Sequence, residues 1–203
     1  MEEIITRQRF LEEGKKAFLE KGFQETSLRQ ICKTLELTLG AFYGYFKGKE
    51  ALFEAIVSEP AVEMLRYYKE SHDNYMKKEA REQFDGIGAE PADILMNMLD
   101  YMYEYYDEFK LLFCRAGGTK YENYLEEYIS IEVIATEQFM KVMRENGILQ
   151  VEIDQQLSHN LASMLFNGVI EVFKHDMSYE AAKDYVTKLR LFYTAGWMKL
   201  FEG

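Results

Sequence analysis

Residues 26–46 read TSLRQICKTLELTLGAFYGYF, and the fold follows from how this stretch divides. Ser27 stands three residues before Gln30, the spacing of a capping box in which the two side chains satisfy the orphan amides of an opening helical turn. Behind it Leu28, Ile31, Cys32 and Leu35 recur at helical spacing. Thr38 offers a second cap beyond a tight turn, and Leu39, Phe42, Tyr43 and Phe46 continue on a helical period. Two short helices set at an angle need a partner for their inner faces. Residues 4–20 supply it, because Phe10, Leu11, Gly14, Ala17 and Phe18 lie on one stripe that stops at Gly22. The stretch therefore predicts a three-helix head of the kind that places its last helix in a DNA major groove while the preceding helix crosses the phosphate backbone.

The longer segment TRQRFLEEGKKAFLEKGFQETSLRQICKTLELTLGAFYGYFKGKEALFEAIV resembles the N-terminal domain of the TetR family of bacterial transcriptional regulators. The resemblance rests on the basic start at Arg7 and Arg9, the Phe18 to Gly22 helix end and the Thr26-Ser27 cap. It continues through the Ile31 to Thr38 turn and the run Tyr43, Phe46, Lys49, Glu50 and Leu52. It implies an all-α chain with a helix-turn-helix DNA-binding domain at 1–47 and a helical effector-binding and dimerisation domain at 48–203. The function implied is that of a sequence-specific regulator, by family default a ligand-responsive repressor that binds a palindromic operator as a homodimer. Two departures stand out. Glu36 occupies a turn position where the family usually has Gly, and a non-Gly residue at positive φ costs on the order of 1 kcal/mol. Leu39, Gly40, Ala41 and Phe42 also open the reading helix without an amide, guanidinium or carboxylate to read base edges.

Position assigns the remaining DNA-binding candidates. Arg29 can reach a base edge or a phosphate, while Thr38 and the amides behind it suit a phosphate. Leu39 and Ala41 suit thymine methyl groups, although Leu39, like Phe42, also reads as a core residue. Ser27 at the first cap and Gly40 within the reading helix complete the local set. Tyr43 and Lys49 are phosphate contacts by resemblance, the latter at a helix N-terminus whose dipole favours an anion. Tyr45 is a further candidate, or surface filler.

The formal charge of -11 divides unevenly. Residues 1–57 carry nine Lys and Arg against nine Asp and Glu, so the remainder holds the whole excess. A neutral head can still present a basic face to DNA, and an acidic body discourages nonspecific adhesion. Cys32 and Cys114 form no disulfide framework, there is no signal-peptide pattern, and no apolar run approaches the ~18 residues of a membrane span. A cytoplasmic protein without membrane association is expected.

The 48% of hydrophobic residues provides ample core, and strand alternation is missing. Helices are expected near 48–58, 60–84, 91–115, 119–146, 154–175 and 178–201, with Pro60 and Pro91 at starts. Two stripes near the C-terminus contain a glycine each: Leu157, Leu161, Met164, Leu165, Gly168 and Val172, then Tyr185, Leu189, Phe192, Ala195, Gly196 and Leu200. Such a pair can meet a two-fold mate as a four-helix bundle, with Leu161, Met164, Gly168, Val172, Leu189, Phe192 and Gly196 at the dimer interface. The middle helices are rich in Tyr, Phe and Met. By resemblance this region encloses an effector pocket for a small hydrophobic or aromatic molecule. Its candidates are Met96, Leu99, Tyr103, Tyr106, Phe113, Tyr124, Tyr128, Phe139 and Met143, which read equally as plain core.

Catalytic and metal-binding patterns are missing. His72, His159 and His175 are scattered, and no zinc ligand pair, phosphate loop or nucleophile elbow occurs. No catalytic residue, metal or cofactor is expected. The alternatives are a helical interaction protein with degenerate DNA reading and, behind it, an all-helical enzyme.

Overall fold

The computed structural model describes residues 2–88 and 90–202. Among these, all regular structure is helical: α1 (Glu2–Glu25), α2 (Leu28–Thr34), α3 (Leu39–Tyr43), α4 (Lys49–Met76), α5 (Ala80–Asp85), α6 (Glu90–Glu104), α7 (Tyr106–Cys114), α8 (Tyr124–Glu145), α9 (Gln155–Lys174) and α10 (Tyr179–Glu202). The chain forms two compact units. The first runs to Glu63 and takes back Tyr105–Tyr124, and the second comprises Met64–Glu104 with the residues from Leu125 onward. The boundary expected at residue 47 therefore lies inside the first unit, and the division falls within α4.

In the first unit, Phe10, Phe42 and Phe46 are buried rings that meet one another, with Phe10 edge-on to Phe42 at 5.3 Å between centroids. This aromatic contact sets α3 against α1. Gly14 is required at the crossing of α1 and α4, because a Cβ there would stand 2.7 Å from Leu52 Cδ2. Regular helix in α1 stops at Gly22, whose φ of 77° and ψ of 167° turn the chain. The buried Thr26 hydroxyl then fastens the turn, donating to the carbonyls of Gly22 at 2.7 Å and Ala17 at 3.1 Å.

The α2–α3 turn is a Schellman motif. Leu37 N–H donates to Cys32 O at 2.9 Å and Glu36 N–H to Lys33 O at 3.1 Å, which satisfies the last carbonyls of α2. Glu36 takes the left-handed position with φ 58°. Glu36→Gly is therefore expected to raise stability by about 1 kcal/mol, less the extra freedom of Gly in the unfolded chain. Urea denaturation checks this, and an unchanged or lower midpoint would show that the turn carries no such strain.

Several helix boundaries differ from expectation. One helix passes through Pro60, merging the predicted 48–58 with most of 60–84. The cost of the missing amide is met by the buried row Val57, Ala61, Met64 and Tyr68 on one face. The tail of that stretch is a separate α5, held to the end of α4 by Gln83 Nε2 donating to Met76 O at 3.3 Å and Lys78 O at 2.9 Å. The predicted 91–115 helix breaks at Tyr105, with φ -113° and ψ 45°. The helix expected from 119 starts at Tyr124, because successive turns through Gly118 (φ 82°) and Thr119 occupy the approach.

Candidate nucleic-acid interface and ligand cavity

The Thr38 cap forms as expected: its Oγ1 accepts Ala41 N–H at 3.1 Å, which fixes the start of α3. The capping box at Ser27 does not form. Ser27 is the N-cap of α2 with extended backbone, yet its hydroxyl accepts no amide. Ser27, Arg29 and Gln30 are all exposed, so water can take the opening amides that the hydroxyl leaves.

The DNA-binding candidates lie along α3 and just beyond it, at its cap, and in the first turns of α2 and α4. Arg29, Thr38, Gly40 and Tyr43 are exposed, Leu39, Ala41 and Tyr45 are half-buried, and Phe42 is fully buried and is a core residue. Arg7 and Arg9, the basic start of the segment, are exposed and brace the head from its surface: Arg7 lies over the Phe46 ring and Arg9 Nη2 donates to Leu35 O at 2.9 Å. Lys33 and Lys47, not singled out from the sequence, are exposed cations on α2 and just before α4. Nothing in the sequence marks them beyond their charge.

Lys49 has an internal role that its motif position does not reveal. Its ammonium donates to Gln24 O and Thr26 O, each at 3.0 Å, and sits 4.5 Å from the centre of the Phe23 ring. Burial lowers its pKa, with the Glu25 charge acting in the opposite sense. Two of its three N–H groups are used in holding the α1–α2 connection, and one remains for an external anion.

The second unit holds a partly open cavity of about 190 Å³. It exceeds the ~150 Å³ engineered cavity that holds benzene. Its walls come from α4, α6, α8, α9 and α10, with Tyr68, Tyr75, Phe166, Tyr193, Trp197 and Phe201 among the aromatic residues. Of the nine pocket candidates read from the sequence, only Phe139 lines it. Leu99, Tyr128 and Met143 are fully packed core, and Tyr103 packs at a tilt against Phe173 while its hydroxyl donates to Met177 O at 2.9 Å. Met96 is half-buried off the cavity wall, and Tyr106, Phe113 and Tyr124 belong to the first unit. A stripe at helical spacing identifies a buried face, and here that face is mostly solid core.

The cavity also holds polar groups that the sequence did not distinguish. Tyr68 donates its hydroxyl to Glu132 Oε2, and His72 Nε2 lies 3.3 Å from the same oxygen. Burial, then the Glu132 charge and hydrogen bond, push the Tyr68 phenol well above the ordinary tyrosine range, so it remains a donor. For Glu132, burial opposes ionisation, but the hydrogen bond and charge of His72 and the hydrogen bond from Tyr68 outweigh it and lower the pKa. A lowered carboxylate pKa contributes stability above the usual carboxylate range and loses it as pH falls. The stability difference between wild type and Glu132→Gln is thus expected to shrink on acidification through that range, as thermal denaturation across pH would show. A constant difference would contradict the pairing.

The expected dimer residues separate into two groups. Met164 and Phe192 are exposed, together with Leu157, Leu191 and Leu200 on the same two helices, and Gly196 has open space around it. Leu161 and Leu189 are half-buried. Val172 is fully buried in the core, and Gly168 packs against α10 of its own chain, its carbonyl accepting the Tyr185 hydroxyl at 3.0 Å. A Cβ at Gly168 would lie 3.0 Å from Leu189 Cδ2. Among the described residues no group of three or more His, Cys, Asp or Glu is arranged to hold a metal, and no helix is long and apolar enough to cross a membrane.

Comparison with known proteins gives the head its relatives. Residues 10–56 match the bacterial regulatory proteins of the tetR family. The HTH-type transcriptional regulator UidR of Escherichia coli K12 is 35% identical over 65 residues, which span 32% of this chain and 33% of UidR. The HTH-type transcriptional repressor NemR of the same organism is 38% identical over 52 residues, 26% of each chain. These matches span a third or less of the relatives' length. Whole-chain fold similarity extends to a transcriptional regulator of the TerR/AcrR family from Aquifex aeolicus, with TM-score 0.54 and 22% identity over 92% of this chain and 99% of that one. It extends also to the TetR-family regulator PfmR from Thermus thermophilus, with TM-score 0.53 and 19% identity over 92% and 97%. With a Thr38-capped helix-turn-helix head and a matching segment at 10–56, the N-terminal head of this chain is that of the TetR family of bacterial regulatory proteins.

Proposed function

We propose that this protein is a ligand-responsive transcriptional repressor that binds a palindromic operator as a homodimer. The observation that carries the reading is the head: α3 is capped by Thr38, held by the Phe10, Phe42 and Phe46 cluster, and leaves Tyr43 and Arg29 exposed beside it. The few polar groups on α3 direct base reading to Arg29 and to methyl contacts from Leu39 and Ala41, with Tyr43, Thr38 and the third N–H of Lys49 on phosphates. Two heads related by a two-fold axis then read two half-sites. The exposed apolar residues of α9 and α10 supply the pairing face, and the cavity of the second unit supplies the effector site. A promoter reporter carrying the DNA upstream of the gene tests repression: expression should fall when the protein is supplied, and constant expression would contradict it.

Lys49→Met keeps the stem over Phe23 and removes the charge. It is expected to lower stability by about 1–2 kcal/mol through two lost hydrogen bonds. The salt dependence of operator binding should also lose about 0.9 in slope for each phosphate contact removed. Titrations at several salt concentrations measure both, and an unchanged slope would restrict Lys49 to bracing the head.

A further inference from the structure

The effector proposed above can be given a chemical class. Arg190 of α10 stands in the wall of the second-unit cavity, half-buried, with one N–H donating to Gly88 O. No carboxylate among the described residues pairs with it. A guanidinium whose one hydrogen-bond partner among the described residues is a backbone carbonyl, against apolar and aromatic neighbours, retains donors in a fixed fork that matches a planar carboxylate. Apart from the tyrosines, Glu132 and His72 are the other ionisable groups of the wall, and they are paired with each other. Glu132 is already engaged, since both Tyr68 and His72 converge on its Oε2, and its Oε1 has no hydrogen-bond partner among the described residues. The cavity thus combines an uncompensated cation, a carboxylate with one open acceptor, and an apolar lining that includes Phe166, Trp197 and Phe201.

We infer that this cavity takes an organic acid with an apolar or aromatic body, its carboxylate held by Arg190 and a hydroxyl or N–H of the ligand donating to Glu132. This rests on the reading of the cavity as the effector site. An organic cation fits less well: Glu132 has His72 beside it, and Arg190 would stand unneutralised in the same wall. A neutral molecule would leave the half-buried guanidinium without a charge partner.

The test uses matched trios measured by calorimetry with the full-length protein. Examples are 3-(4-hydroxyphenyl)propanoate, its primary amide and 4-hydroxyphenethylamine, and indole-3-acetate with its amide and amine counterparts. Within a trio the acid should bind at least about tenfold tighter than the amide, as loss of a charge-assisted pair requires. Arg190→Gln should remove that preference while the protein melts as a folded chain, and Arg190→Lys should restore part of it by returning the charge without the fork. Preference for the amine or the amide, acid binding unaffected by Arg190→Gln, or no acid of the panel binding at millimolar concentration would each overturn the inference. The same acids are then added to the protein on its operator. Acid binding with no change in operator affinity would leave the cavity's chemistry standing and count against the ligand-responsive reading.

Discussion

Phe10→Ala is expected to cost the head about 3–5 kcal/mol and to abolish operator binding at physiological temperature. The ring is fully buried and touches both Phe42 of α3 and Phe46 just beyond it. Removing it leaves a cavity where the aromatic contact sets α3 against α1. Neighbouring rings cannot close that space, because Phe42 and Phe46 are already stacked on each other at 5.6 Å. Chemical denaturation with a DNA-binding titration measures both effects. A loss of less than about 1 kcal/mol, with operator affinity intact, would mean that the aromatic cluster does not hold the head together.

Phe192→Glu is expected to dissociate the proposed homodimer while leaving the fold of each subunit unchanged. The side chain is 72% exposed in the single chain, so a polar replacement there should alter subunit stability by no more than about 0.5 kcal/mol. An isologous interface doubles the effect, because the substitution appears on both copies and places two carboxylates in an apolar contact. Loss of a central aromatic anchor costs about 2 kcal/mol or more. Operator affinity should fall by about 10²–10⁴-fold, since a monomer can no longer hold two half-sites at once. Sedimentation and DNA titration of the variant give the two readings. Gly168 is a poorer probe than its place in the stripe implies, because Leu189 of the same chain already fills the space beside it.

The head was legible because its signals are local. The Thr38 cap, the stop at Gly22 and the left-handed Glu36 depend on neighbours a few residues away, helical spacing marks Phe10 and Phe42 as inner-face residues, and each occurs in the structure. Ser27 shows the limit of that logic: a capping spacing permits a hydrogen bond without requiring it where solvent can serve the same amides. In the body, Pro60 reads as a helix start, yet a buried row on both sides of it carries α4 through. Tyr105, where α6 and α7 part, has no Gly or Pro to announce it.

The cavity of the second unit was the least legible element. Its wall is assembled from five helices, and periodicity identifies the inner face of each helix without saying which inner faces leave a gap. The Tyr, Phe and Met stripes therefore named core residues such as Leu99 and Met143. Tyr68, His72, Glu132 and Arg190, single polar residues on otherwise apolar or mixed faces, went unmarked. A charged residue falling on a predicted buried face, as Glu132 does beside Val133 and Ile129, is the signal that could have found them.

Fluorescence anisotropy with two labelled duplexes, one from the region upstream of the gene and one of the same composition in scrambled order, tests the central claim most directly. A repressor whose α3 reads an operator should prefer the upstream duplex by about 10³-fold or more at physiological salt. Both affinities should fall as salt rises, because phosphate contacts release counterions. Equal affinity for the two duplexes at every salt concentration, or no binding to either, would contradict the account.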